Sequence, residues 1–220
     1  MDIITLGTGS PIPSPDRAGP STLVRAEGRQ FLIDCGRGVQ MRMAAVWCAA
    51  AQLTAVLLTH LHSDHISDFN DVVTSRWIMS PAPNPLVVIG PVGTKAFVER
   101  TLAMLADDVG YRIAHHEDLN EGPEITVHEV ESGVVFDDGV VKIIARPTNH
   151  APVAPTVGYR FEEGGKSVVI AGDTIACEGL SDLVRGADVY VQTVIRRQLV
   201  EQVPMPVSYT HLTLPTKRIV

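Results

Sequence analysis

One heptapeptide, residues 59–65, concentrates side chains that could bind metal: it reads Thr-His-Leu-His-Ser-Asp-His. Side chains two positions apart in an extended segment project to the same side, so His60 and His62 could bind one ion together. Asp64 and His65, where the chain turns toward a helical pattern, could face a second ion. Neutral imidazole and carboxylate suit zinc and similar divalent ions. Only eight histidines occur in 220 residues, so the cluster predicts a metal site rather than a histidine-rich turn.

Two further candidates follow predicted strands in the second half of the chain. His150 comes after an apolar strand pattern and before a proline-rich turn, and Asp173 ends the apolar run 168–172. A loop just past a strand is where a rigid scaffold presents chemistry. Each residue also has a structural interpretation: His150 is compatible with an ordinary loop histidine, and Asp173 with a helix cap.

Asp34 ends another strand pattern and has two interpretations. Its carboxylate could order a ligand histidine through a hydrogen bond, as supporting carboxylates in metal sites do, or it could cap the following turn at Gly36. Three other histidines, His115, His116 and His128, are assigned no role, because they fall in a loose connection and in an apparent strand.

The elements that must position these residues alternate between strands and helices, without an internal repeat. The predicted strands are 3–6, 22–25, 30–33, 55–58, 86–89, 125–131, 140–145, 157–161, 167–171 and 188–193. The predicted helices are 39–51, 66–78, 93–107 and 181–185, and 108–124 is predicted to be a surface connection. This order indicates the α/β class, with polar clusters at strand ends.

Composition is that of a globular protein, with 45% hydrophobic and 20% charged residues. No apolar run reaches the length of a membrane span, and the first residues begin a strand rather than a signal peptide. Three scattered cysteines favour a reducing cytoplasm. The net charge of −7 argues against a broad basic nucleic-acid surface. A local patch together with two divalent ions could still hold a phosphodiester.

The heptapeptide is the signature of the metallo-β-lactamase superfamily, and the chain resembles its ribonuclease Z branch, of the actinobacterial type. The segments that carry the resemblance are Ile3–Pro11, Phe31–Gly36, residues 59–65, Pro147–His150 and Ala171–Thr174. The resemblance covers about residues 1–203 and implies a four-layer αββα sandwich, with the carboxyl-terminal βα unit missing.

The resemblance also implies a site with two divalent ions, zinc being expected first and manganese as the alternative. The first ion would be bound by His60, His62, His150 and Asp173, and the second by Asp64, His65 and Asp173, which bridges the two. Asp64 would also accept a proton from the attacking water, and Asp34 would support the site. No serine or cysteine nucleophile stands beside a base, and the glycine-rich start lacks the lysine of a phosphate-binding loop.

The implied function is metal-dependent hydrolysis of a phosphodiester, as in trimming the 3′ end of precursor tRNA, by a cytoplasmic enzyme that could be a homodimer. The alternatives within the fold are a cyclic-nucleotide phosphodiesterase and an arylsulfatase-like hydrolase. The chain shows no Lys/Arg-rich, glycine-rich arm of the kind that grips tRNA. A small phosphodiester therefore stays open beside RNA.

The carboxyl-terminal segment departs from the family pattern. The family has a further βα unit and a Thr-His segment that completes the second metal site, whereas here residues 204–220 follow directly. Either His211 is that last ligand after an internal deletion, or residues 204–220 are a foreign tail on an incomplete domain of residues 1–203. The second is favoured, because a missing βα unit would leave a sheet edge and apolar surface uncovered.

The incomplete second site also leaves a hypothesis outside the enzyme class. In it, the chain is an inactive protein that retains one metal ion.

Overall fold

The computed structural model describes residues 1–196 and 212–214. The chain divides into two compact units, Met1–Val130 and Glu131–Val220. Each unit is built on its own β-sheet.

The first unit contains a six-stranded sheet in which the strands lie in sequence order. They are β1 (Asp2–Gly7), β2 (Ser21–Ala26), β3 (Arg29–Ile33), β4 (Ala55–Leu57), β5 (Leu86–Gly90) and β6 (Ile125–Glu129). Strands β1 to β3 pair antiparallel, and β3 to β6 pair parallel. Because β3 and β4 are parallel neighbours, the residues that follow them emerge at the same edge of the sheet.

The helices of the first unit are α1 (Val39–Ala45), α2 (Ser63–Ile66), α3 (Phe69–Met79), α4 (Thr94–Met104) and α5 (Ala106–His115), with a 3₁₀ turn at Ala50–Gln52. The prediction of one helix over 39–51 is wrong in its second half. Helix α1 ends at Ala45, and Trp47 adopts a left-handed φ of 57° that a continuing helix cannot contain.

The prediction that 108–124 is a connection is also wrong in its first part, since α5 runs to His115. None of the residues of α5 is fully buried, but the half-buried Val109, Arg112 and Ile113 follow helical spacing, and Gly110, a poor helix former, obscured that pattern in the sequence. An ion pair four residues apart, Arg112 Nε to Asp108 Oδ2 at 2.8 Å, supports it locally.

The second unit contains a five-stranded sheet in the order β11-β10-β9-β8-β7. Its strands are β7 (Gly133–Asp137), β8 (Val141–Pro147), β9 (Val157–Glu163), β10 (Lys166–Ile170) and β11 (Val189–Val191). Helix α6 (Glu178–Val184) follows β10, and β12 (Val194–Arg196) pairs in parallel with β13 (Leu212–Leu214). Strands β9 and β10 form a hairpin through Gly164 and Gly165, both of which have positive φ. Strand β7, a half-exposed edge strand, was not predicted.

The predicted mixed α/β class is confirmed by these two sheets and their helices. No helix in the described part of the chain is long and apolar enough to cross a bilayer. The predictions made for residues 204–220, including the role of His211, lie outside the described residues, apart from the short strand β13.

Candidate metal centre

The heptapeptide begins two residues after the end of β4. Thr59 and His60 are buried, with a bend at Thr59, and His62 is exposed and extended, at φ −65° and ψ 146°, just before α2 begins at Ser63. Asp64 and His65 lie on α2 and are both buried. The turn into a helix at Asp64 and His65 is the one that the sequence predicted.

The rings of His60 and His62 face each other across a short gap. His60 Nε2 lies 3.1 Å from His62 Nδ1, and the ring planes are inclined by 74°. Two nitrogen ligands of a tetrahedral zinc ion, each about 2.05 Å from the metal, lie roughly 3.3 Å apart. The spacing of these two nitrogens therefore fits a shared ion.

Asp34 stands at the edge where β3 and β4 end, and it connects three groups of the first unit. Its backbone is left-handed, with φ 60°, and its N–H donates to Leu57 O at 2.8 Å. Its Oδ1 accepts the N–H of Thr59 at 2.8 Å, and its Oδ2 accepts the Thr59 hydroxyl at 2.8 Å. The same Oδ2 lies 2.8 Å from His65 Nδ1. Of the two interpretations of Asp34, this geometry supports the one in which it orders a histidine.

The loop that follows Asp34 also fixes α2. Cys35 N–H donates to His65 O at 2.7 Å, and a Cβ added at Gly36 would lie 2.6 Å from Asp64 O. Only glycine permits this close approach of two backbones. Asp64 Oδ2 and His65 Nε2 are 3.9 Å apart, which places both groups on one side of α2. Burial is the main cause that raises the pKa of the Cys35 thiol, and the negative charges of Asp34 and Asp68 raise it further. This cysteine therefore stays a neutral core residue.

In the second unit, His150 follows β8 and Asp173 follows β10, the two strands on either side of β9, and both residues are buried. His150 Nε2 lies 3.9 Å from Asp173 Oδ2. The residues beside them are joined by the Thr174 hydroxyl, which accepts the N–H of Asn149 at 2.9 Å and lies 3.1 Å from Asn149 O. A third bond runs from Ile175 N–H to Asn149 O at 2.9 Å.

Four of the predicted residues form one candidate group: His60, His62, His150 and Asp173 each offer a ligand atom, and these atoms all lie within 4.8 Å of one another. Three imidazoles and a carboxylate suit a divalent ion of the zinc type. Three of the four side chains are buried and His62 is exposed. The fold and this His/Asp group are those of a protein that binds divalent metal.

Asp64 and His65 do not belong to this four-residue group in the described part of the chain; they lie on α2 beside Asp34. His115 and His116 lie at the end of α5 and just beyond it, with rings 5.0 Å apart, and His128 is exposed on β6. Thr59 was missed by the sequence analysis, although a hydroxyl residue directly between a buried strand and the first histidine was a visible signal.

Comparison with known proteins gives the family. A family model described as a beta-lactamase superfamily domain matches residues 29–217. Ribonuclease Z of Mycobacterium bovis (strain BCG / Pasteur 1173P2) is 56% identical over 206 residues, which are 93% of this chain and 74% of that protein. Ribonuclease Z of Mycolicibacterium gilvum (strain PYR-GCK) is 55% identical over 207 residues, 93% of this chain and 72% of that protein.

A solved structure agrees with these relatives. The short form of human tRNase Z superposes with a TM-score of 0.77 at 25% identity, over 98% of this chain and 85% of that one. These findings support the prediction of a ribonuclease Z-like hydrolase over the cyclic-nucleotide phosphodiesterase and arylsulfatase alternatives. With a family model over most of its length and relatives at more than half identity, the chain belongs to the ribonuclease Z family of metal-dependent hydrolases, within the metallo-β-lactamase superfamily.

Proposed function

We propose that this chain is an endoribonuclease that cuts one phosphodiester bond at the 3′ end of precursor tRNA. The names of its relatives support this substrate: two ribonuclease Z proteins and a tRNase Z. The observation that carries the proposal is the group of four ligand atoms within 4.8 Å of one another. A donor set of this kind suits a hydrolytic metal rather than a structural one, because it contains no thiolate.

The proposal assigns each candidate residue to one of two ions. His60, His62, His150 and Asp173 bind the first, and Asp64, His65 and Asp173 bind the second. Zinc is expected first, since imidazole and carboxylate suit it, and manganese is the alternative. Asp34 supports the site by holding His65 Nδ1 at 2.8 Å, which leaves His65 Nε2 as the ligand atom.

Divalent ions in such a site supply a nucleophilic water at neutral pH and offset the charge on a phosphate oxygen. The chain's own contribution is to orient ligands and to accept a proton. Asp64 is the residue proposed to accept the proton of the attacking water; it is buried beside His65, with 3.9 Å between Oδ2 and Nε2. The exposed ring of His62 marks the side from which a substrate reaches the group.

Two further parts of the proposal concern surroundings and assembly. A cytoplasmic location is supported by Cys35, Cys48 and Cys177, all of which are free thiols. A homodimer is proposed from the family resemblance, and the candidate surface is the region of Met41 on α1 and of Trp47 after it, which are 74% and 91% exposed. Sedimentation velocity tests the dimer: a monomer at micromolar concentration would exclude this surface as a stable interface.

Residues 204–220 are proposed to be foreign to the hydrolase domain of residues 1–203. The test is a chain that ends at residue 203. If the proposal is right, its metal content and activity match those of the full chain. A loss of one metal ion on removal of this segment would instead favour His211 as a ligand.

The decisive experiment measures bound metal per chain together with cleavage of precursor tRNA and of bis(p-nitrophenyl) phosphate. The His60→Ala variant should lose activity by about a thousandfold, because metal stabilisation of the reacting charge contributes several kcal/mol. His128→Ala, which removes an exposed imidazole on β6, is the matched control and should keep both metal and activity. One tightly held ion without turnover in the unchanged chain would support the inactive metal-binding alternative.

A further inference from the structure

Thr59 occupies a position between Asp34 and His60 that the proposed function leaves without a role. It is 1% exposed, and its hydroxyl donates to Asp34 Oδ2 at 2.8 Å. The same hydroxyl oxygen lies 3.0 Å from His60 Nδ1. On its other side, Asp34 Oδ2 lies 2.8 Å from His65 Nδ1. One carboxylate oxygen is therefore connected directly to one imidazole and through a hydroxyl to another.

The directions of these hydrogen bonds follow from the chemistry of the groups. An ionised carboxylate only accepts hydrogen bonds, so the proton of the Thr59 hydroxyl points at Asp34. The Thr59 oxygen then presents a lone pair to His60, and only a protonated Nδ1 can satisfy it. The same reasoning places a proton on His65 Nδ1. In each ring the lone pair is left on Nε2, since neutral imidazole carries one N–H.

We propose that Thr59 is a positioning residue that fixes the Nδ1–H tautomer of His60, so that Asp34 sets the ligand nitrogen of two histidines at once: His65 directly and His60 through Thr59. The value of this arrangement for metal binding rests on the proposed function. The tautomer itself does not, because it is a property of the metal-free chain. His60 Nε2, which this tautomer equips with a lone pair, is the atom that faces His62 Nδ1 at 3.1 Å.

Position and tautomer are separate requirements in this site. The backbone places the His60 ring, since Leu58 N–H is bonded to Ile89 O at 2.8 Å and Thr59 N–H to Asp34 Oδ1. Without the Thr59 hydroxyl the ring would keep its place but lose the acceptor that holds the proton on Nδ1. A proton on Nε2 would then have to be displaced before an ion could bind, which weakens binding without unfolding the protein.

The test uses the full metal-free chain, labelled with ¹⁵N in its histidines, at a pH about two units above the ordinary imidazole pKa. The ¹⁵N shifts of His60 report which ring nitrogen carries the proton. We expect an Nδ1–H tautomer in the unchanged chain and in Thr59→Ser, which keeps the hydroxyl. Thr59→Val should give a mixture or the Nε2–H tautomer. Zinc affinity, measured by chelator competition, should fall by about 10- to 100-fold in Thr59→Val and recover in Thr59→Ser.

Thr101→Val is the matched control, since it removes another buried hydroxyl, bonded to Phe97 O at 3.0 Å in α4, away from Asp34. An Nε2–H tautomer of His60 in the unchanged chain would overturn the proposal even if Thr59→Val failed to fold. Equal zinc affinities in Thr59→Val and Thr101→Val would also overturn it. If the tautomer behaves as expected but His60→Ala still cleaves RNA, the proposed function fails and the positioning role stands.

Discussion

Two pairs of candidate ligands, His60 and His65 in the first unit and His150 and Asp173 in the second, are held in different ways. In the first unit, side-chain groups contact the rings themselves: Thr59 Oγ1 meets His60 Nδ1, and Asp34 Oδ2 meets His65 Nδ1. In the second unit, hydrogen bonds join the residues next to the candidate ligands. Asn149, beside His150, is bonded through its backbone to Thr174, beside Asp173.

The difference follows from the chemistry of the ligands. An imidazole has two distinct nitrogens, and only one of them faces the ion, so the ring must be both placed and held in one tautomer. The oxygens of a carboxylate such as Asp173 are equivalent, so placing the backbone is enough to present one of them. We therefore expect the histidines of the first unit to respond to changes in hydrogen-bonding groups, and the placement of Asp173 in the second unit to respond to changes in backbone position.

The largest effect is expected for Asp34→Ala. This change removes the acceptor of three hydrogen bonds in a buried site and leaves their donors unpaired, in a left-handed backbone conformation that alanine disfavours. The free energy of unfolding of the metal-free protein should fall by about 4 kcal/mol. Urea denaturation in the presence of a chelator measures it.

Asp34→Asn is the matched variant, because asparagine tolerates the left-handed backbone and keeps one oxygen for the Thr59 N–H. It should recover a large part of the stability but not the zinc affinity, since its amide nitrogen cannot accept from a hydroxyl or an imidazole. An unchanged unfolding free energy in Asp34→Ala would show that the first unit does not depend on this carboxylate.

The second unit should be most sensitive at Gly179 on α6. A Cβ added there would lie 1.9 Å from Pro147 O, so α6 would have to move away from the end of β8, three residues before His150. Gly179→Ala should cost about 3 kcal/mol of unfolding free energy. Gly110→Ala is the control, since that position in α5 has no neighbour within 4 Å and alanine favours the helix. A cost at Gly179 no greater than that at Gly110 would contradict the backbone account.

Much of the site could be read from the sequence because its chemistry is local. Residues 59–65 carry four candidate ligands within seven positions, and helix α2 begins within the same segment. His150 and Asp173 could be named only because each follows a clear apolar strand pattern and matches a family segment. Their separation from each other in the structure, 3.9 Å between Nε2 and Oδ2, is not encoded in their spacing of 23 positions.

The features that escaped prediction depend on pairing or on exposure. The link from Asp34 to Thr59 exists because β3 and β4 are parallel neighbours, with Ile33 opposite Leu57, and no local pattern reports that register. Helix α5 was missed because no residue on it is fully buried and because Gly110 within it is typical of a turn. The end of α1 was missed because Trp47 takes a backbone conformation that is uncommon for its residue type.

A smaller effect is expected for Thr174→Val, the counterpart of Thr59→Val in the second unit. The Thr174 hydroxyl lies within 3.1 Å of the N–H and the C=O of Asn149. Its removal leaves the Asn149 N–H without this acceptor, at a cost of about 2 kcal/mol in unfolding free energy. The exposed strand residue Thr126 gives the control Thr126→Val. We expect Thr174→Val to lower the free energy of unfolding more than Thr59→Val does. The His60 tautomer should change only in Thr59→Val. The reverse pattern would contradict the proposed difference between the two units.

The smallest effect is expected for Glu129→Gln. The Glu129 carboxylate accepts backbone N–H groups, as the carboxylate of Asp34 does, but it lies at the surface. Glu129 Oε1 accepts the N–H groups of Lys95 and Gly93 at the start of α4, at 3.0 and 2.7 Å, and these bonds hold the pKa of its carboxyl below the ordinary value. Because the folded-state pKa is depressed, the stabilisation is present above the unfolded-state pKa and is lost as the pH falls from the ordinary glutamate pKa through the folded-state value. Glu129→Gln should therefore lose a little stability at neutral pH and show a flatter dependence in that range, measured as denaturation midpoints. Identical pH profiles for the two proteins would mean that an exposed carboxylate contributes nothing measurable here, and that burial is what makes the contacts of Asp34 effective.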